Sequence, residues 1–592
     1  MIYSPLVDFS AAVLYNSFTK SVNLIIKGEN ILLQSLLTTG LSSLLFIIKV
    51  ILPLLGLVIV LKCFLSMNKN IREEKPLITL LNSITGDYIP VLYWENSIGR
   101  SKNSDIVLAD PTVSRDHAVL MRRDEGWIVT DTDSRSGVFV NGKKIKSKKQ
   151  VYIDDIITVG STSLVLKRHS DYIKKTGLWD VKYEYKKKFA TSSVGLMFLL
   201  TIFQILCAFE LCFSENAFNF EPLIPFAILN ILSWTFLAFS RGIFKRITFE
   251  LETLGLLFTS IGIALICSYD VESTYMQLAS LFLGMVLFLI IIWLIEDPDK
   301  IMDWRLFVMI GAILLLIVNL IFGTTKFGSQ NWIVIGPVSI QPSEFVKVAF
   351  IFVGASTLDR LQTAKNLTEF IIFSGLCIGA LFLMNDFGTA LIFFVTFLIV
   401  AFMRSGDIRT IILIIVAAIL GVFMILKFKP YVADRFASWG HVWDYMYSSG
   451  GYQQTRVLTY SASGGLFGLG LGRGELKYIG AAPSDLIFGM ICEEMGLIIA
   501  IIAVVSIACL TLYARKASSK SRSTFYYISA CSAAGLLIFQ TCLNIFGATD
   551  VLPLTGVTLP FISLGGSSMI SVWGLLAFIK AADERTYAAR KM

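Results

Sequence analysis

Long apolar runs recur along most of this chain, near residues 44–65, 191–211, 222–240, 252–268, 276–295, 304–322, 343–357, 368–384, 387–403, 409–426, 485–514, 524–547 and 564–581. A helix crosses the hydrocarbon core of a bilayer with about 20 apolar residues. Backbone polar groups cannot be left bare in lipid, so a chain with this pattern has one main solution, a bundle of membrane helices. Composition agrees: 55% of the 592 residues are hydrophobic and only 16% are charged, too few for a soluble protein of this length. The expected fold is therefore a polytopic α-helical membrane protein with room for one soluble domain.

The net charge of +8 needs no nucleic acid, because Lys and Arg excess in a membrane protein gathers in cytoplasmic loops and sets topology. Lys62, Lys69 and Arg72 follow the first run. That places a weakly amphipathic segment 1–43 outside, a transmembrane helix at 44–66, and the chain beyond Met67 in the cytoplasm. Arg241, Lys245 and Arg246 return it inside after two more spans within 191–240. With every run taken as a span, RSGDIR (404–409), ARKASSKSRS (514–523) and the 580–591 tail fall inside. Every loop rich in Gly, Pro and polar residues then falls on the outer face. The nine cysteines lie mostly within apolar runs without a CxxC, which reads as small buried side chains, and three histidines exclude a His-rich metal centre. The first long apolar run begins only near Leu44, so no cleavable signal peptide is expected.

Between residues 77 and 168 the pattern changes. Short alternating runs (VLYW, GWIVTD, GVFVNG, VYIDDIITVG, TSLVLK) are separated by Gly, Asn and Asp turns, the signature of an all-β sandwich. Ile98-Gly99-Arg100, Ser114-Arg115-Asp116-His117 and SRSGVFVNGKKI at 134–145 come in an order and spacing that resemble a forkhead-associated (FHA) domain across the whole segment. The resemblance implies a cytoplasmic module that binds a phosphothreonine-containing protein, with Arg100 and Ser114 on the phosphate, Arg115 and Ser136 beside them, and His117 bracing the loop. A guanidinium and a hydroxyl supply the charge-assisted bonds a phosphate needs. Ser136-Gly137-Val138 departs from the family's usual Asn-Gly-Thr, which weakens or removes the Asn contact to the ligand backbone. A basic linker follows over 169–190.

Four segments converge on the outer face. They are Gln330 to Lys347, with Gln341-Pro342-Ser343-Glu344 and Lys347; Asn385-Asp386-Phe387-Gly388-Thr389; Gly450 to Gly496, with Asp485 where a polar loop turns apolar; and Pro553 to Ser568. The motifs QPSExxK, DFGT, GYQ…SGG…GLG and TGxTLPFIS…GGSS resemble the SEDS family, the FtsW/RodA/SpoVE type, across about residues 250–585. The core would then hold about ten spans, and about three spans and the FHA domain would lie outside it.

The family resemblance implies a bacterial plasma-membrane enzyme of cell shape, division or sporulation that polymerises lipid II into the nascent glycan strand of peptidoglycan. A sugar hydroxyl attacks the anomeric carbon and undecaprenyl diphosphate leaves. Such a transfer needs a general base and positive charge for the leaving group. By resemblance the base is Asp485, and Glu344 and Lys347 line the same cavity. An Asp at that position is also natural helix N-cap chemistry, and Glu344 with Lys347 is also a natural buried ion pair at i,i+3. Asp386 is a further candidate that reads as a cap, and Arg456, Arg473 and Lys477 are candidates for diphosphate or sugar contacts. Pro483-Ser484 stand where the family has His-Thr, so the surroundings of Asp485 differ from the family pattern.

The Gly468–Gly474 run fits neither GxGxxG nor a P-loop. Ser17–Lys20 and Lys175–Gly177 mimic transpeptidase motifs but lie on opposite sides of the membrane, so cross-linking falls to a partner, by resemblance a class B penicillin-binding transpeptidase. The sequence is silent on a divalent cation and on whether the work is division, elongation or sporulation. Two other readings stay open: a transporter that flips a lipid-linked sugar, and a non-catalytic scaffold whose working part is the FHA domain.

Overall fold

A computed structural model of the chain describes residues 42–67, 78–168, 192–405 and 437–584, apart from short breaks within them, and residues 412, 415 and 416. The expected amphipathic N-terminal segment, the basic linker over 169–190 and most of the 409–426 run lie outside the described residues.

The soluble part comprises strands β1 (Ile78–Asn82), β2 (Tyr88–Val91), β3 (Glu95–Gly99), β4 (Ile106–Val107), β5 (Ala118–Arg123), β6 (Gly126–Asp131), β7 (Val138–Val140), β8 (Lys143–Lys144), β9 (Lys148–Val151), β10 (Ile156–Val159) and β11 (Thr162–Arg168). They form two sheets, ordered β2-β1-β11-β10-β7-β8 and β4-β3-β5-β6-β9, antiparallel except for the β3–β4 pair. Period-2 alternation builds the core. Leu164 and Leu166 of β11 are fully buried between half-exposed neighbours, and they share one buried core with Leu120, Val129, Val140 and Ile157 of the other strands. Asn141 and Gly142 both take positive φ between β7 and β8, the two-residue turn whose twist suits a hairpin.

The membrane part begins with α1 (Ser42–Met67) ahead of the sandwich. After it come α2 (Ser193–Cys212), α3 (Leu223–Gly242), α4 (Glu250–Tyr269), α5 (Val271–Leu294), α6 (Pro298–Phe322), a small sheet of β12 (Thr324–Lys326), β13 (Ser329–Ile335) and β14 (Val338–Ile340), then α7 (Pro342–Thr357), α8 (Ala364–Leu383), α9 (Phe387–Ser405), α10 (Tyr452–Gly464), α11 (Ile487–Met490), α12 (Leu497–Ser518), α13 (Thr524–Ala548) and α14 (Gly566–Glu584). Eight helices among the described residues are long and apolar enough to span: α1 to α5, the Asp303–Phe322 part of α6, α12 and α13. The protein is a multi-pass membrane protein. The ends of the helices follow local chemistry: Asp270 caps α5 by accepting from the Glu272 and Ser273 N–H groups, and Pro342 opens α7, where a missing N–H costs nothing.

Helix α4 is buried along almost its whole length and forms the middle of the bundle. Beside it, Trp573 of α14 meets Phe236 of α3, Phe288 of α5 and Phe561 edge-on at 5.7–6.1 Å. Edge-to-face aromatic packing of this kind fixes relative helix positions.

The structure corrects one expectation. The apolar run from Asp485 is not one helix. A short α11 ends in a π turn over Ile491–Met495, Gly496 turns the chain at φ 90°, and the spanning helix starts only at Leu497. The cause is the pair Glu493 and Glu494, which are held ahead of the span by backbone N–H groups of the preceding loop. Glu493 accepts from Glu475 and Leu476 at 2.8 and 2.9 Å, and Glu494 from Gly472 at 2.7 Å.

Candidate functional site

The four motif segments meet around one side of α13. Gln540 and Asn544 lie one turn apart on that helix. Asn544 Nδ2 donates to the backbone carbonyls of Asp485 at 2.9 Å and Val557 at 2.7 Å. Gln540 Nε2 donates to Thr558 O at 2.9 Å, and its oxygen accepts from Lys347 Nζ at 3.1 Å. Polar side chains inside an apolar helix are costly unless they serve a purpose; here they join the segment of Asp485, the Pro553–Ser568 loop and α7.

Asp485 is half-buried. The segment before it is pinned: Ser563 Oγ donates to Ser484 O at 2.5 Å, and Leu564 N donates to Pro483 O at 2.8 Å. Asp485 Oδ2 faces Gly556, where a Cβ would stand 3.4 Å from it. The N-cap position of α11 is held by Leu486, whose side chain makes no capping bond. The loop past it is held from α5, since Gln277 Nε2 donates to Ser563 O at 3.0 Å and Gln277 Oε1 accepts from Gly565 N at 3.1 Å.

Glu344 and Lys347 form a buried ion pair at 2.8 Å. Glu344 also accepts from Ser571 Oγ at 2.7 Å. Asp386 caps α9 by accepting from Thr389 N at 3.1 Å, and its other oxygen accepts from the side-chain amides of Asn331 at 2.9 Å and Gln341 at 3.3 Å. The QPSE and DFGT segments are thus tied through one carboxylate. Three polar oxygens here, Asn331 Oδ1, Asn544 Oδ1 and Thr555 Oγ1, are shielded from solvent without a hydrogen-bond partner among the described residues. Such groups call for water or a hydroxyl-bearing ligand.

Arg456, Arg473 and Lys477 each have a contact of their own. Arg456 sits over the Tyr452 ring at 5.3 Å on α10. Arg473 donates to Phe213 O at 3.3 Å, beyond the end of α2. Lys477 donates to Gly472 O at 2.7 Å within its own loop. Gln277, Gln540, Asn544 and Ser571 were not among the candidates from sequence. The available signal was polar spacing inside an apolar run, Gln540 and Asn544 at i,i+4. Among the described residues no group of three or more His, Cys, Asp or Glu is placed to hold a metal ion, and the nine cysteines are free thiols.

In the sandwich, His117 is fully buried and braces two loops. Its Nδ1 accepts from Ser114 N at 3.0 Å, so Nε2 carries the proton and donates to Gly137 O at 3.2 Å. Ser114 Oγ accepts from Arg135 N at 3.1 Å, which leaves its O–H to donate outward. Arg100 N donates to Ser114 O at 3.0 Å, placing exposed Arg100 and Arg115 on the same end of the sheet as Ser114. Ser136 Oγ makes a long contact, 3.4 Å, to Thr112 O. Asp110 ties this end together by accepting from Thr112, Ser161 and Thr162. The Ser161 and Thr112 hydroxyls hold its carboxyl well below the usual carboxylate range.

The family model described as cell cycle protein, FtsW/RodA/SpoVE, matches residues 243–588, and the FHA domain model matches residues 96–160. The chain belongs to the FtsW/RodA/SpoVE family and carries an FHA domain. It is 33% identical over 273 residues to the probable peptidoglycan glycosyltransferase FtsW of Buchnera aphidicola from Acyrthosiphon pisum, covering 44% of this chain and 68% of that protein. It is 28% identical over 338 residues to stage V sporulation protein E of Bacillus subtilis, covering 55% of this chain and 91% of that protein. Among solved structures, one described as structural coordination of polymerization and crosslinking by a peptidoglycan synthase complex matches with a TM-score of 0.50 at 22% identity, covering 58% of this chain and 98% of that one. That likeness is one of fold.

Proposed function

We propose that this chain is a peptidoglycan glycosyltransferase that polymerises lipid II on the outer face of the plasma membrane. The observation that carries the reading is Asp485, half-buried against Gly556 and fixed by its own backbone carbonyl where the motif segments meet. In this reading the Asp485 carboxylate takes the proton of the acceptor 4-hydroxyl. That oxygen bonds to the anomeric carbon of the growing strand as the bond to undecaprenyl diphosphate breaks. A positioned base contributes about 10²–10⁴-fold. Asn331, Asn544 and Thr555 offer unpartnered oxygens to sugar hydroxyls. The Glu344–Lys347 pair and Asp386 hold the walls of the cavity, and Arg456 supplies charge toward the diphosphate. Arg473 and Lys477 bind backbone carbonyls and serve the loop rather than the substrate.

The chain divides, in this account, into an FHA module over 77–168, spans over 44–66 and 191–240 outside the family core, and the core over 250–585. The FHA module docks a phosphothreonine through Arg100, Ser114, Arg115 and Ser136 on the cytoplasmic face, and cross-linking falls to a class B transpeptidase. Support for the two faces comes from α1 and α2. The ends of both helices that lie farther along the chain from the FHA module contact the same loop over 469–473. The direct test is purified full-length chain in liposomes supplied with lipid II, with and without candidate transpeptidases. Glycan strands support the reading; lipid II that stays monomeric with every partner contradicts it.

A further inference from the structure

The loop that leads into the Asp485 segment is held by helices that lie outside the family region. Lys49, near the start of α1, donates from Nζ to Leu469 O at 2.6 Å. Glu210, in the last turn of α2 and 5% exposed, accepts from Leu471 N at 3.3 Å. Arg473 returns a bond to Phe213 O just past α2 at 3.3 Å. A Cβ at Gly470 would stand 3.0 Å from Glu210 Oε1 and 3.4 Å from Lys49 Cε, and its φ of 111° suits glycine alone. Charged side chains on membrane helices are costly unless paired or functional. Here both are aimed at one backbone segment.

From that segment the contacts run on to the candidate active site. Leu469 N and Gly470 N donate to the carbonyls of Glu493 and Glu494 at 2.8 and 2.9 Å. The Glu493 and Glu494 carboxylates hold residues 472–476 in turn. Leu476 packs against Gly489, where a Cβ would stand 2.7 Å from it. Residues 469–476 are therefore tied to the segment that runs from Asp485 to Met495.

The other end of α1 is anchored as well. Ser66 Oγ donates to Glu250 Oε1 at 2.6 Å, at the start of α4. Lys49 and Ser66 are about 25 Å apart along a helix at about 1.5 Å per residue, most of a hydrocarbon core. The FHA sandwich is inserted in the chain between α1 and α2, joined to them through residues 68–77 and 169–192. Both of its flanking helices thus end on the same outer loop.

We propose that Lys49 and Glu210 are positioning residues for the outer loop over 469–476, and that the FHA domain acts through α1 and α2 on the placement of Asp485. This rests on the glycosyltransferase reading. The ligand is a phosphothreonine peptide, and the coupled element is the loop together with the π turn that holds it. Binding at the FHA domain shifts the ends of α1 and α2 relative to the core; those ends hold three backbone groups of the loop.

The test reads backbone hydrogen exchange over residues 469–476 in the full chain in lipid nanodiscs, for wild type, Lys49→Met, Lys49→Arg and Glu210→Gln. Lys49→Met removes the donor and keeps the length, and should raise exchange in this loop at least about tenfold; Lys49→Arg should restore it. On lipid II, Lys49→Met should lower kcat about tenfold with KM within about twofold. A pool of phosphothreonine peptides, set against its unphosphorylated twin, should change exchange of the loop in wild type and leave Lys49→Met unchanged. Unaltered exchange in Lys49→Met overturns the proposal. So does an equal peptide response in both chains, or a response in neither. Exchange is independent of turnover, so its failure with polymerisation intact removes this inference and leaves the enzyme reading in place.

Discussion

Lys347→Met tests the buried pair at the wall of the site. The Lys347 side chain is 1% exposed, and Nζ lies 2.8 Å from Glu344 Oε1 and 3.1 Å from Gln540 Oε1. Without the ammonium, Glu344 keeps Ser571 as a donor but no opposite charge. Removing one member of a buried pair costs about 3–5 kcal/mol, or roughly two to four decades in the folding equilibrium at about 1.4 kcal/mol per decade. The double variant Glu344→Gln/Lys347→Met leaves no buried charge and should recover most of that loss. Reversible unfolding in mixed micelles reads the stability, and lipid II polymerisation reads the function. A pair that lines the substrate cavity gives a double variant that is stable and slow; a purely structural pair gives one that is stable and active. A single variant within about 1 kcal/mol of wild type refutes the buried-pair reasoning.

Three further outcomes are expected. Arg100→Ala should weaken phosphothreonine-peptide binding to the full chain at least about tenfold, because a charge-assisted phosphate bond is worth roughly 1.5–3 kcal/mol; titration calorimetry checks it, and equal affinity rules the assignment out. Asp110 has a carboxyl held below its ordinary value of 3.8 by hydroxyls, so its contribution is present above that value and fades as pH falls toward the folded one; the difference between wild type and Asp110→Asn in protection of the Ser161 amide, read at matched pH, should hold above about pH 5 and shrink below 3.8. Single cysteines at the exposed positions Ser448 and Ser161, in a background without native cysteines, should label from opposite sides of the membrane with an impermeant reagent, and same-side labelling defeats the assignment of faces.

Much of this was legible in the sequence where local pattern and local chemistry agree. The sandwich follows from alternation such as that of β11 and from the Asn141-Gly142 turn. The four motif segments stand out because Pro, Gly and carboxylates interrupt apolar runs. The break at Gly496 was not legible, because hydropathy counts side chains and the break comes from backbone N–H groups of residues 472–476 binding Glu493 and Glu494. Nor was the joining role of Gln540 and Asn544, whose partners come from α7, the Asp485 segment and the Pro553–Ser568 loop. The grip of Lys49 on Leu469 spans 420 positions of sequence, beyond any periodicity.

The most direct test of the central claim is lipid II polymerisation by Asp485→Asn beside wild type. The amide has the shape of the carboxylate, and the backbone carbonyl that Asn544 holds is untouched, so the unfolding midpoint should stay at the wild-type value. Strand synthesis should fall about 10²–10⁴-fold, the loss typical of a positioned base. Polymerisation within a few-fold of wild type, from a variant folded like wild type, contradicts Asp485 as the base and the mechanism built on it.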